Sequence, residues 1–168
     1  MMNISRINHI GLRVSDYEAA RDFYQQLGFA PIGGPGGPEP VAIVEHPSGI
    51  NINFIINANH KIKGNVLMDV PTKHTGYTHV ALEVDDAERA IAQLKSLDIP
   101  LSGEAMTHHN GSISFFIRDP DMNVVEFIEY RGSSVADTQV ESKSEVKKQA
   151  INQTFFSILK QLFTRVTP

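Results

Sequence analysis

A chain that carries the same pattern twice is constrained to build one module twice, and that constraint is stronger here than any single motif. Written seventy residues apart, His9 and His79, Leu12 and Leu82, Val14 and Val84, Asp16 and Asp86, Glu18 and Glu88, Ala20 and Ala90, and Leu27 and Leu97 are identical. Seventy-three residues apart, Pro47 meets Pro120, Phe54 meets Phe127 and Ile55 meets Ile128. The three-residue difference between the two registers is a change of loop length within one plan.

Each copy opens on an alternating run, 7–14 or 77–84, with the period of a half-buried strand. A helix follows. Ser15 stands three residues before Glu18, and Asp85 three before Glu88, a capping-box spacing. Ala20, Phe23, Tyr24 and Leu27, then Ala87, Ala90, Ile91 and Leu94, give each helix one apolar stripe, and Gly28 suits the first helix's C-terminal cap. A short strand is expected just after each helix, at 29–32 and 101–104. Two longer strands turn at Pro47 or Pro120, spanning 41–45 and 51–57, then 112–117 and 123–130. The Gly/Pro stretch at 33–38 has no Lys-Ser or Lys-Thr after it, so it is no phosphate loop and reads as a mobile rim. The expected fold is α+β: two tandem βαβββ modules, about 5–60 and 75–131, forming a curved sheet around one site in a domain spanning 1–131.

Strand parity sorts the side chains into two faces. Ile10, Leu12, Val14, Ile52 and Phe54 fall on one face, as do Val80, Leu82, Val125 and Phe127, so that face lies against the helices. His9, Arg13 and Asn53 fall on the other, with His79, Glu83 and Glu126 in the second copy. Pairing the modules about a pseudo-two-fold axis mirrors His9 in His79 and Asn53 in Glu126. Two imidazoles and one carboxylate with open positions make the donor set of a divalent Fe, Mn, Ni, Co or Zn site. The alternative is two strand histidines hydrogen-bonded on an open face and a solvated glutamate.

Composition narrows the rest. Lys plus Arg number 15 against 19 Asp plus Glu, a net charge of −4, without the basic excess that phosphate backbones demand. Cysteine is absent, which removes disulfides, thiolate nucleophiles and Cys-ligated metals. No apolar run approaches the ~20 residues of a membrane span, and the N-terminus lacks a signal-peptide core. The expectation is a cytoplasmic protein with a small-molecule substrate, no nucleic acid partner and no membrane span.

The runs Ile7-Asn8-His9-Ile10-Gly11-Leu12-Arg13-Val14, Phe23-Tyr24-Gln25-Gln26-Leu27-Gly28-Phe29, Gly76-Tyr77-Thr78-His79-Val80-Ala81-Leu82 and the stretch from Phe115 through Asp119-Pro120-Asp121 to Glu126 resemble the vicinal oxygen chelate superfamily. That superfamily includes glyoxalase I, extradiol dioxygenases, fosfomycin-resistance transferases and bleomycin-resistance proteins. The resemblance covers about residues 5–131 and implies paired βαβββ modules around one divalent metal held by His9, His79 and Glu126. Glu126 is then the implied catalytic group. The pattern departs at Asn53, where glyoxalase I enzymes place a Glu, and at Met122, where a Gly usually follows Asp-Pro-Asp. Three functions follow from the resemblance: a metal-dependent glyoxalase-like enzyme (lactoylglutathione lyase-related), an extradiol-type dioxygenase using Fe(II), or a metal-free ligand-sequestering protein.

Arg13, Asn53 and His109 are the candidate substrate contacts. Arg13 either clamps a substrate carboxylate through its planar fork or pairs with Glu83 at the repeat-equivalent position. His108 and His109 precede the Gly111 loop, where either a proton-transfer role or simple solvation fits. Beyond the domain, 132–144 reads as a polar linker. Residues 145–168 read as an amphipathic helix with Ile151, Phe155, Ile158, Leu162 and Phe163 on one stripe. Such a face needs cover from its own sheet, a second subunit in a homodimer or a membrane surface.

Overall fold

The computed structural model describes residues 1–58 and 64–131, and within them the repeat is built as two modules of one strand, one helix and three strands. The first runs β1 (Ile10–Arg13), α1 (Tyr17–Gln26), β2 (Ala30–Gly36), β3 (Val41–Glu45) and β4 (Asn51–Ile55). The second runs β5 (His79–Glu83), α2 (Ala87–Ser96), β6 (Met106–Thr107), β7 (Ile113–Arg118) and β8 (Val124–Glu129). The sheets have the orders β1-β4-β3-β2 and β5-β8-β7-β6. In each, the first strand pairs in parallel with the last, because the helix returns the chain across the sheet before the antiparallel strands begin. The expected linker and C-terminal helix lie outside the described residues.

The helices begin one residue later than the capping boxes imply. Asp16 and Asp86 are the N-caps, in extended backbone, and their carboxylates accept from the N–H groups of Ala19 at 3.1 Å and Arg89 at 2.8 Å. An ionised cap also complements the positive end of the helix dipole. Ser15 is committed elsewhere: its N–H donates to the Asp121 carboxylate at 2.9 Å and its hydroxyl donates to the same group. α1 ends as expected: Leu27 is the C-cap residue, and Gly28 follows it in the left-handed conformation, φ +94, that closes a helix.

Three strand expectations shift for identifiable reasons. β1 and β5 start at Ile10 and His79, not at 7 and 77, because the ladder to their parallel partners begins there, Ile10 opposite Ile52 and His79 opposite Val124. Ile7 and Tyr77 are left 82% and 99% exposed. The Gly/Pro stretch read as a rim is largely strand: β2 runs through Gly36, with register shifts against β3. A Cβ on Gly34 would stand 2.2 Å from the Val41 carbonyl oxygen, so a glycine lets the two backbones pass. The short strand expected at 101–104 is displaced to β6, leaving at Leu101 one bridge to Ile117.

Parity assigns the core as expected. Val14, Tyr24, Val44, Ile52 and Phe54 are buried in the first module, and Phe115, Ile117, Val125 and Phe127 in the second. Truncating Phe54, which is fully buried, to Ala would cost roughly 3–5 kcal/mol. Phe23 and Leu27 on α1 pack against both clusters, so the helix belongs to both modules. Polar contacts reinforce that joint: besides the Ser15–Asp121 bonds, the buried Tyr24 hydroxyl donates to Asp119 at 3.4 Å.

Candidate functional site

The polar face is organised by cross-strand register. Gly11 lies opposite Asn53 and Arg13 opposite Ile55 in the first sheet, while Ala81 lies opposite Glu126 and Glu83 opposite Ile128 in the second. Asn53 and Glu126 are thus each flanked by a residue with little or no side chain. A Cβ on Gly11 would meet nothing within 4 Å, so the strand keeps space beside Asn53.

In the second module, His79 Nε2 stands 2.9 Å from Glu126 Oε2. Thr78 Oγ1, 2.9 Å from Nδ1, holds the other ring nitrogen and turns Nε2 toward the carboxylate. The ring of Phe116 meets the imidazole edge-on at 5.9 Å, and Phe116 is itself the cross-strand neighbour of Glu126. The His79 side chain is 35% exposed and that of Glu126 is 15% exposed. Such a pair can share a proton, and its spacing also suits a cation: cis ligands each about 2.1 Å from one ion lie about 3 Å apart. The chemistry of the donors therefore fits half of a divalent site.

His9 is not brought to that pair. It precedes β1, exposed, with Nδ1 2.8 Å from the Asn8 amide oxygen. Among the described residues, no three of His, Asp and Glu stand close enough together to hold one ion. Asn53 shows the opposite condition: its Oδ1 is buried and is the one buried side-chain polar atom without a hydrogen-bond partner among the described residues. An orphan acceptor of this kind costs about 1–3 kcal/mol unless something donates to it or coordinates it. Arg13 meets Asn57 rather than Glu83, donating from Nε to the amide oxygen at 2.8 Å, so the guanidinium is held at its inner nitrogen and keeps its outer fork for other partners.

His109 sits exposed in the turn after β6. Its neighbour is the more tightly held of the two: His108 Nε2 lies 2.7 Å from the fully buried Ser114 Oγ, and its N–H donates to the Ser112 carbonyl at 2.8 Å. Ser114 lies opposite Ile128 on the face that carries Phe116 and Glu126. The alternation of Ser112 and Ser114 with Ile113 and Phe115 was the available signal for this pair.

Between the facing edges of β1 and β5 lies a cavity of about 260 Å³, lined by Ile10, Leu12, Val80 and Val124 and reached by His79. The segment joining the modules contributes Asn65, Val66 and Leu67 to its wall. That segment is pinned to the second module: Asn65 Nδ2 donates to the Met122 carbonyl at 3.3 Å, and Asp69 pairs with Arg118 at 2.7 Å. The backbone N–H of Asn65 and then the Arg118 cation hold the Asp69 carboxyl below its ordinary range. Asp119, by contrast, is raised by burial, although the side chain and N–H of Asn123 and the N–H of Asp121 donate to it. Burial, then the Asp119 charge, pushes the Tyr24 phenol up as well.

The family model described as Glyoxalase/Bleomycin resistance protein/Dioxygenase superfamily matches residues 6–127, which takes in both modules and every residue of the polar face discussed above. The chain belongs to that superfamily. Among relatives, it is 33% identical over 129 residues to the mitochondrial methylmalonyl-CoA epimerase of Bos taurus, covering 71% of this chain and 70% of that protein. The glyoxalase family protein from Enterococcus faecalis shares the fold at a TM-score of 0.63 and 24% identity, over 76% of this chain and 100% of that one. The lactoylglutathione lyase from Agrobacterium tumefaciens does so at 0.56 and 22%, over 76% and 96%. Proteins named for different activities thus resemble this chain in sequence or in fold, and the reaction has to be argued from the side chains.

Proposed function

We propose that this superfamily member is a metal-dependent enzyme that moves a proton at a carbon beside a carbonyl, on an acid or thioester that presents vicinal oxygens. The observation that carries the reading is the His79–Glu126 pair at 2.9 Å, on the face whose other repeat-equivalent position is the orphaned Asn53 Oδ1. A 2-carboxyacyl thioester is the favoured substrate class, since the curated relatives are named methylmalonyl-CoA epimerase. Epimerising such a carbon breaks and remakes one C–H bond beside a carbonyl, which needs a base and a means of stabilising the enolate.

His79 and Glu126 are the residues that would hold the cation, with His9 joining them only if the exposed segment before β1 swung toward the pair, and the cation would act as a Lewis acid toward the carbonyl oxygen. Glu126 takes the proton, because it is the carboxylate of the pair and Asn53 is a neutral amide at pH 7. Arg13 binds the substrate's carboxylate with the outer fork that Asn57 leaves available. Asn53 Oδ1 accepts from a substrate hydroxyl or bound water. His109 is the outside group for the second proton transfer.

The test is deuterium exchange. Protein loaded in turn with Mn(II), Co(II), Ni(II), Zn(II) or Fe(II) is incubated with a 2-methylmalonyl thioester in D₂O, and loss of the C2 proton signal is followed by NMR. At least one metal should support exchange above background, and Glu126→Gln should lower the rate ~10²-fold or more. No exchange with any metal would reject the proposal. In that case, oxygen consumption with Fe(II) alone would favour the dioxygenase, and tight ligand binding by metal-free protein would favour sequestration.

A further inference from the structure

The cavity between β1 and β5 is shaped for something the proton-transfer chemistry does not use. Its wall is apolar along Ile10, Leu12, Val80, Val124 and Leu67. Its polar side chains are already engaged. Asn65 accepts from the N–H groups of Leu67 and Met68 and donates to the Met122 carbonyl. Asn123 donates to Asp119 at 2.9 Å, and Thr78 faces His79. The cavity is open on the side of Val66 and Tyr77, and an ordered water needs two to four polar partners, so its apolar wall favours a hydrocarbon chain over held water. On the scale of a 150 Å³ apolar cavity that takes benzene, 260 Å³ accommodates about ten carbon atoms.

His79 lines this same cavity and presents Nε2 to Glu126. The space and the candidate reacting centre therefore meet at one residue, His79 at the start of β5. We propose that the cavity is the subsite for the hydrocarbon part of the ligand, so that the preferred ligand is a carboxylate or acyl compound with an unbranched chain of about six to ten carbons, its oxygenated head at His79. The proposal rests on the proposed function only for where the head group sits. The binding of the chain requires neither metal nor turnover.

The chain contains no tryptophan, so one introduced indole reports alone. Val66 lines the cavity and is 50% exposed, a wall position that tolerates a larger side chain. In metal-free Val66→Trp protein, octanoate should shift the emission saturably while acetate should not. Across the series from butanoate to decanoate, affinity should rise about fourfold per methylene and then level off once the cavity is full. Ile10→Phe in the Val66→Trp background narrows the space and should weaken octanoate at least tenfold. Should that variant fail to fold by circular dichroism, Leu67→Phe in the same background carries the same test from the connecting segment. No saturable shift with octanoate, affinity indifferent to chain length, or undiminished binding in the folded narrowing variant would each overturn the subsite. Deuterium exchange could fail with this binding intact, or succeed without it, so the two readings fail separately.

Discussion

Met122 is held at φ +64, in the left-handed region that L side chains avoid, and its repeat-equivalent Gly49 sits at φ +85. Placing a non-glycine residue there costs about 1–2 kcal/mol, while glycine loses roughly 0.5–1 kcal/mol more chain entropy on folding. Met122→Gly should therefore stabilise the protein by about 0.5–1 kcal/mol. The turn's hydrogen bonds survive the change because they use backbone atoms: the Met122 N–H donates to the Asp119 carbonyl, and its own carbonyl accepts from Arg118 Nη1 at 2.9 Å and from Asn65. The reverse exchange, Gly49→Met, should destabilise by about 0.5–1 kcal/mol, since a Cβ at Gly49 meets nothing within 4 Å and the same backbone difference sets the cost with the opposite sign. Urea unfolding of both variants at constant m-value reads the difference. A Met122→Gly protein less stable than the parent by 0.5 kcal/mol or more would show that side-chain packing outweighs backbone strain at this turn.

Three further outcomes are expected. Asp119 is raised by burial, so the folded chain holds that proton more tightly than the unfolded one; its contribution to stability is largest at low pH and declines as pH rises from about 4 through the raised value. Asp119→Asn should flatten that decline in urea midpoints measured from pH 4 to 7, and an unchanged slope would refute the assignment. Arg13→Gln should raise KM for carboxylate-bearing substrates about ten- to a hundredfold with a smaller change in kcat, as expected for loss of a charged hydrogen-bond donor, and steady-state kinetics decide it. Asn53→Glu replaces the orphan acceptor with a second carboxylate and should tighten divalent-metal binding by calorimetry and raise any isomerase activity; weaker binding would mean that the amide donates to ligand instead.

The architecture was legible in the sequence because periodicity and repetition are local records of which face is buried. Two offsets located both modules, and alternation alone separated Ile52 and Phe54 from Asn53, and Val125 and Phe127 from Glu126. Helix existence followed from the apolar stripes. The cap positions did not, because Ser15 and Asp16 are both good caps, and the choice fell to Asp121, more than a hundred residues away. Strand ends were likewise decided across the sheet: the alternation in 7–9 continues the pattern of β1, but the pairing begins at Ile10.

The candidate site divides along the same line. Residue types and faces were set locally, so His9, Arg13, Asn53, His79 and Glu126 could be nominated together. Which of them meet is a three-dimensional outcome. Glu126 joins His79 because parallel pairing lays β5 against β8, and Arg13 turns to Asn57 rather than to its repeat partner Glu83. The cavity and the buried joint at Asp119 have no sequence signature at all. Each is made by chain segments that periodicity cannot relate, brought together when two modules and the segment between them pack against one another.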